Sequence, residues 1–260
     1  MTEPPFKAAL RSSPLRPVYF WLANRYRELR RLFIYPATAR VGVVDYDTYW
    51  ENKAPDQLGE LSPWRKRRAQ VFTDLVTDGD RVLDLGVGDG ALLRYMLQRK
   101  RIQAFGLDVS PRAVEFCRAQ GLEVELADLN QPISAYLRQP YDFIICSEII
   151  EHLPDPESLL NNLRPFARKG IIISIPNTGY YLHRLRLLFG RFPLQWVVTP
   201  GEHLRYWTRA DFHWWAGQMR FGIAREVAYE GVRGLKTLWP SLFAAAFVYQ
   251  LEDSTQAESS

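Results

Sequence analysis

Val82-Leu83-Asp84-Leu85-Gly86-Val87-Gly88-Asp89-Gly90-Ala91 is the stretch whose reading decides the fold. A short apolar strand, Arg81 to Leu85, runs into three alternating glycines, and a helix, Ala91 to Arg99, follows at once. Glycines permit a tight turn and let backbone approach a ligand closely. In open α/β sheets ligands bind at the carboxyl ends of the strands, where this turn stands. The spacing alone fits two cofactor classes. Gly86-x-Gly88-x-x-Ala91 satisfies the dinucleotide fingerprint, and in either class an acid about 20 residues on, here Asp108, accepts ribose hydroxyls. Three further features separate them. Asp84 stands two residues before the first glycine. A carboxylate there suits a cofactor with a cationic amino-acid end and is poorly suited to a pyrophosphate. Asp128 closes a third strand as Ala127-Asp128-Leu129, placed to accept from an adenine amino group, and Tyr141-Asp142-Phe143-Ile144-Ile145-Cys146-Ser147 closes a fourth.

Outward from the turn, strand and helix alternate. Strands are predicted over residues 103–108, 123–127, 143–146 and 171–175, and helices open at Ser110-Pro111 and Asp155-Pro156. Such alternation predicts a parallel sheet covered by helices on both faces. Thr208 caps a helix over 210–219, and two strands, 223–229 and 244–251, close the domain. Upstream, Ser62-Pro63 opens a helix over 64–76. Residues 18–35 read as an amphipathic helix, with Tyr19, Leu22, Tyr26, Leu29 and Phe33 at helical spacing among Arg25, Arg27, Arg30 and Arg31. It suits packing on the main domain or on a second subunit. Basic residues beside Trp and Phe also suit peripheral contact with an anionic membrane.

Composition narrows the class. The 260 residues are 47% hydrophobic and carry a net charge of only +4, a weak footing for nucleic-acid binding. Two isolated cysteines, Cys117 and Cys146, argue against a disulfide framework or a zinc ribbon. No stretch approaches the about 20 apolar residues of a membrane span. The first residues, Met1-Thr2-Glu3-Pro4-Pro5, lack the features of a secretory signal. These features lead us to expect a cytoplasmic protein, monomeric or homodimeric.

The four strand ends, taken in order, resemble the successive motifs of class I S-adenosylmethionine (SAM)-dependent methyltransferases, type 11/23-like, over residues 62–251. The resemblance implies an α/β, Rossmann-like, seven-stranded, mostly parallel sheet whose last strand is antiparallel. Residues 1–61 would form a helical extension and lid, and residues 252–260 a disordered tail. It also implies roles. Asp84, Gly86 and Gly88 would lie against the methionine part of SAM. Asp108 would bind the ribose, with Val109 beside the adenine. Asp128 and Leu129 would frame the adenine, and Ser147 would offer backbone near the sulfonium. Tyr46 and Tyr49 suit a lid over the cofactor or simple packing.

Ser147-Glu148-Ile149-Ile150-Glu151-His152 follows the fourth strand, at the edge where an acceptor would sit. Two carboxylates and an imidazole can bind a divalent cation such as Mg²⁺, which would lower the pKa of an acceptor hydroxyl. Alternatively, His152 with Glu151 serves as an acid–base pair, or both hydrogen-bond the turn. The segment resembles ubiquinone-type O-methyltransferases and small-RNA 2′-O-methyltransferases. The second resemblance implies a further metal ligand at His203, within Glu202-His203-Leu204-Arg205-Tyr206-Trp207-Thr208-Arg209. The first implies that Arg65 pairs with the SAM carboxylate, although Arg65-Lys66-Arg67-Arg68 also reads as a solvated charge run. Ser174 to Tyr181, the stretch to Pro193 and Val82 to Arg94 resemble the MetW family. The chain departs from MetW in its Glu-His-Leu-Pro-Asp-Pro segment and its longer N-terminal region. The function expected is methyl transfer from SAM to a small-molecule oxygen. The alternatives are a MetW-like regulatory partner of a methionine-biosynthesis acyltransferase, or an RNA 2′-O-methyltransferase.

Overall fold

The computed structural model describes residues 26, 30, 32–34, 46–51, 58–137, 139–195 and 202–255. Most of the helix expected over 18–35 lies outside the described residues; Tyr26 and Arg30 are helical, and a turn follows at Leu32 and Phe33.

Seven strands form one sheet in the order β3-β2-β1-β4-β5-β7-β6. They are β1 (Arg81–Leu85), β2 (Gln103–Asp108), β3 (Glu123–Leu126), β4 (Tyr141–Ser147), β5 (Ala167–Pro176), β6 (Phe221–Gly231) and β7 (Ala244–Asp253). β1 to β5 pair in parallel, and β7 lies antiparallel between β5 and β6. This is the sheet implied by the methyltransferase resemblance. The order reverses at β1, so the crevice beyond its carboxyl end is the switch point where ligands bind.

Successive residues of each strand serve different faces. Leu83, Leu85, Ile144, Ile171 and Ile173 join a core against α5 (Pro156–Leu163) and α7 (Arg209–Gln218). Val82, Ile145, Ile172 and Val248 join a second core against α2 (Pro63–Leu75) and α3 (Ala91–Leu97). Burial on both faces is why these strands read as unbroken apolar runs. The helix starts are local. The Ser110 hydroxyl accepts from the Ala113 N–H at the head of α4 (Pro111–Ala119). Thr208 and Asp211 form a reciprocal capping box on α7. The remaining short helices are α1 (Tyr46–Glu51), α6 (Tyr181–Leu188), α8 (Leu235–Leu238) and α9 (Pro240–Phe243).

Several boundaries differ from expectation, among them β5, which starts at Ala167, and β6, which spans Phe221–Gly231. β3 stops at Leu126, so Asp128 sits in the following turn and does not close the strand. β4 runs to Ser147, paired with Ser174, because the ladder continues past the apolar run. β7 continues to Asp253, opposite Phe221. Glu252 and Asp253 therefore belong to the sheet and not to a tail, and Asp253 is held by an ion pair to Arg164. Residues 256–260 lie outside the described residues.

Candidate active site

The glycine turn is built as its spacing requires. Gly86, Gly88 and Gly90 have φ of 69°, 57° and 67°, the left-handed region that side chains disfavour. Gly86 and Val87 donate their N–H groups to the Leu107 carbonyl at 2.8 and 3.0 Å, which ties the turn to β2. A Cβ on Gly86 would lie 2.1 Å from Ile149 Cδ1, and one on Gly88 would lie 2.8 Å from the Trp50 ring.

Asp108 closes β2 beside this turn. Its carboxylate accepts the Gly88 N–H at 2.7 Å and the Ser110 N–H at 2.9 Å. A carboxylate has about four acceptor sites, so capacity for hydroxyl donors remains. Burial raises the Asp108 pKa, and these backbone donors oppose the rise. The Ala127 N–H donates to the Asp108 carbonyl, so Asp108 and Val109 stand next to the turn carrying Asp128 and Leu129. Asp128 Oδ1 accepts from both the backbone and the side-chain nitrogen of Asn130 at 2.9 Å.

Asp84 is 1% exposed, and its Oδ1 has no hydrogen-bond partner. Burial, then the Asp108 charge, push its pKa up to about 8, with Arg68 opposing. A carboxyl whose folded pKa is raised adds stability at low pH and loses it as pH rises through the folded value. Stability should therefore fall as pH climbs from about 4 to about 8. Asp84→Asn should flatten that fall, and urea unfolding of both proteins across this range would measure it. Equal slopes would contradict the burial account.

Arg65 forms a two-pronged pair with buried Asp89, at 2.6 and 3.1 Å, and also reaches the Glu60 carbonyl. It thus adjoins the turn, with its guanidinium engaged by the acid between Gly88 and Gly90. Asp89, which the sequence reading passed over, also accepts the Gly59 N–H. Above the turn lies α1. Trp50 covers Gly88, and Asp47 accepts the Ser110 hydroxyl. Burial and the carboxylates of Glu202, Asp108 and Glu151 push Tyr46 up to about 12, so this phenol stands among the acids of both halves of the site.

Ser147 ends β4, and Glu148 follows with φ 57°, strained for a residue bearing a side chain. Its N–H is held by the Ser174 carbonyl and hydroxyl. The Glu148 carboxylate pairs with Arg68 at 3.2 Å and accepts from the Tyr229 hydroxyl at 3.2 Å. The next turn carries Glu151, fully buried, with neither carboxylate oxygen hydrogen-bonded. Burial, with the Glu148 charge nearby, raises its pKa well above the usual range. His152 Nδ1 lies 3.0 Å from the Glu202 carbonyl. An oxygen acceptor requires that this nitrogen donate, which leaves Nε2 with the free lone pair. His203 is pushed down to about 4 by burial and by His152, so it is neutral at pH 7. The two rings meet edge to face, 4.7 Å between centroids. One ligand atom each from Glu151, His152 and His203 lies within 4.8 Å of the others.

Of the four expected metal ligands, the structure thus gathers three. Glu148 is drawn away by Arg68 and Tyr229, partners that its local sequence does not reveal. His183 instead accepts the Leu194 N–H, and His213 pairs with Glu226. One cleft, about 570 Å³, opens at the opposite end of the sheet, where Arg81, Gln103 and Glu123 begin their strands. A second of about 410 Å³ lies beside the turn, against Trp50, Asp89 and Phe116.

The model of the family described as methionine biosynthesis protein MetW matches residues 66–251. The chain belongs to the MetW family. The bifunctional methionine biosynthesis protein MetXA/MetW of Rhodopirellula baltica is 27% identical to this MetW-family chain over 181 residues, which are 64% of the chain and 29% of that protein. The ubiquinone biosynthesis O-methyltransferase of Aeromonas salmonicida is 30% identical over 161 residues, 57% of the chain and 66% of that enzyme. The chain therefore spans from under a third to about two thirds of these relatives. A SAM-dependent methyltransferase structure from Archaeoglobus fulgidus superposes with a TM-score of 0.56 at 18% identity, covering 79% of this chain and 100% of that one. The fold of this MetW-family chain is accordingly that of class I SAM-dependent methyltransferases.

Proposed function

We propose that this chain is a SAM-dependent methyltransferase that moves the methyl group to an oxygen of a small-molecule acceptor. One observation carries the oxygen assignment. Glu151 is fully buried with both carboxylate oxygens unpartnered, against two imidazoles, at the end of the strand beside the glycine turn. An unsatisfied buried polar group costs about 1–3 kcal/mol or more, and the two imidazoles beside this one favour a bound cation or a proton transfer as its use.

The cofactor half fits SAM. Ile149 over Gly86 and Trp50 over Gly88 would move aside to let the cofactor lie on this backbone, and the buried Asp84 has an oxygen without a partner for an ammonium donor. Asp108 would take ribose hydroxyls, Val109, Asp128 and Leu129 would border the adenine, and Ser147 would border the reacting centre. Arg65 would exchange Asp89 for the cofactor carboxylate. SAM supplies a methyl group on a sulfonium, and the protein aligns it in line with the acceptor oxygen.

Glu151, His152 and His203 fit a divalent cation. Two imidazoles and one carboxylate favour Mn²⁺, Fe²⁺, Co²⁺ or Zn²⁺ over the Mg²⁺ expected for a carboxylate-rich set. Such an ion supplies Lewis-acid polarisation of the acceptor hydroxyl. His152, its Nδ1 proton committed to Glu202, keeps Nε2 to ligate the ion or, metal-free, to take the acceptor proton. Calorimetric titration separates these roles. Mn²⁺ should bind more tightly than Mg²⁺, and His203→Ala should weaken it by about 10-fold or more. Full turnover in excess chelator would remove the ion and leave His152 as base.

The MetXA/MetW fusion supports a second reading, a regulatory partner of a methionine-biosynthesis acyltransferase. Such a protein would co-purify with the acyltransferase and form no S-adenosylhomocysteine.

A further inference from the structure

We propose that the surface formed by α6 and α8–α9 is a seat for an anionic phospholipid bilayer, set at the mouth of the Glu151 site. The two pieces are neighbours. Tyr181 meets Phe243 at 5.8 Å between ring centroids, and Arg184 reaches the Ser241 carbonyl at 3.4 Å. Leu188 lies one turn beyond Arg184 on the same helix face. From this region apolar side chains stand out into solvent. Leu188 is 77% exposed, Leu238 81% and Trp239 58%, and Leu187, Phe189, Phe192 and Leu235 are also exposed. Phe33, from the segment before the domain, adds to them by packing on Phe189. Scattered exposed leucines need no explanation, but a contiguous group marks an interaction surface.

Charge selects the partner. No Asp or Glu occurs between Glu157 and Glu202, or from Gly231 to Leu251, whereas Arg184, Arg191 and Arg233 fall within these stretches; Lys236 instead donates to the Tyr229 carbonyl beside Glu230. Leucine and tryptophan projecting beside arginines suit the headgroup boundary, where rings and alkyl stems sit in acyl chains and the cations meet phosphates. A second copy would set one basic face against another, which like charge disfavours. Among the described residues no helix is long and apolar enough to cross a membrane, so the contact would be peripheral.

The seat also has a link to the site. Exposed Phe192 meets Tyr206 at 6.2 Å, Tyr206 meets His203 at 6.2 Å, and His203 meets His152. A bilayer held here would lie at the outer end of this line of rings. The surface itself does not depend on the methyltransferase reading, because vesicle binding is measured without cofactor or acceptor.

The test is co-sedimentation with phosphatidylglycerol–phosphatidylcholine vesicles and with phosphatidylcholine vesicles alone. The wild-type protein should pellet with the anionic vesicles, and the bound fraction should fall as salt is raised, which needs no variant to observe. Leu188→Glu combined with Phe189→Glu, and separately Leu238→Glu combined with Trp239→Glu, should each weaken binding by about 10-fold or more. Circular dichroism of both variants should match wild type, since all four residues are exposed. Wild-type protein left in the supernatant would overturn the proposal. So would variants that bind equally well, or a vesicle-free dimer that these substitutions abolish.

Discussion

Replacing Glu151 by glutamine is expected to lower the rate of methyl transfer by about 10²–10⁴-fold while leaving SAM affinity unchanged. The substitution keeps side-chain shape and removes the negative charge available to a cation or a proton. It spares the Glu151 backbone carbonyl, which accepts from the Leu204 and Arg205 N–H groups at 2.8 and 3.0 Å and so holds His203 in place. Because Glu151 is fully buried with its pKa raised, an uncharged amide should not destabilise the fold. Rates of S-adenosylhomocysteine formation, with SAM binding measured in parallel, check this. Wild-type turnover in the variant would assign Glu151 to the turn alone.

Gly86→Ala should act on the other half of the site with comparable force. The new Cβ would sit 2.1 Å from Ile149 Cδ1, on a residue whose φ is 69°. The left-handed conformation costs an L-residue about 1–2 kcal/mol, and overpacking adds about 1–3 kcal/mol. Part of this can be relieved only by moving Ile149, which caps the turn bearing Glu151 and His152. SAM affinity should fall by about 100-fold. Adding Ile149→Ala should restore part of it, because the second substitution removes the clashing carbon. A variant that binds SAM as wild type does would mean that the cofactor avoids this turn.

The sheet was legible because its residues obey a period of two and are buried on both faces, so β1, β2 and the start of β7 emerge from the apolar runs alone. Asp84 and Asp108 could be read because strand ends adjoin the crevice wherever such a sheet forms. Other features depend on which side of a helix faces inward. In Arg65-Lys66-Arg67-Arg68 the four cations look alike as a string. In the structure Arg65 and Arg68, three residues apart, turn inward to Asp89 and Glu148, while Lys66 stays exposed and Arg67 pairs at the surface with Glu230. Glu148 leaves the candidate metal set because of Tyr229, a partner 81 residues away. The cover of Trp50 over Gly88 likewise arises from tertiary packing, which the Tyr-Asp-Thr-Tyr-Trp string does not encode.

Isothermal titration of the purified protein with SAM, S-adenosylhomocysteine and NAD tests the central claim most directly. Asp84, its Oδ1 without a hydrogen-bond partner beside the glycine turn, predicts that SAM and S-adenosylhomocysteine bind and that NAD, whose pyrophosphate would approach that acid, does not. Binding of NAD without binding of SAM would contradict the account.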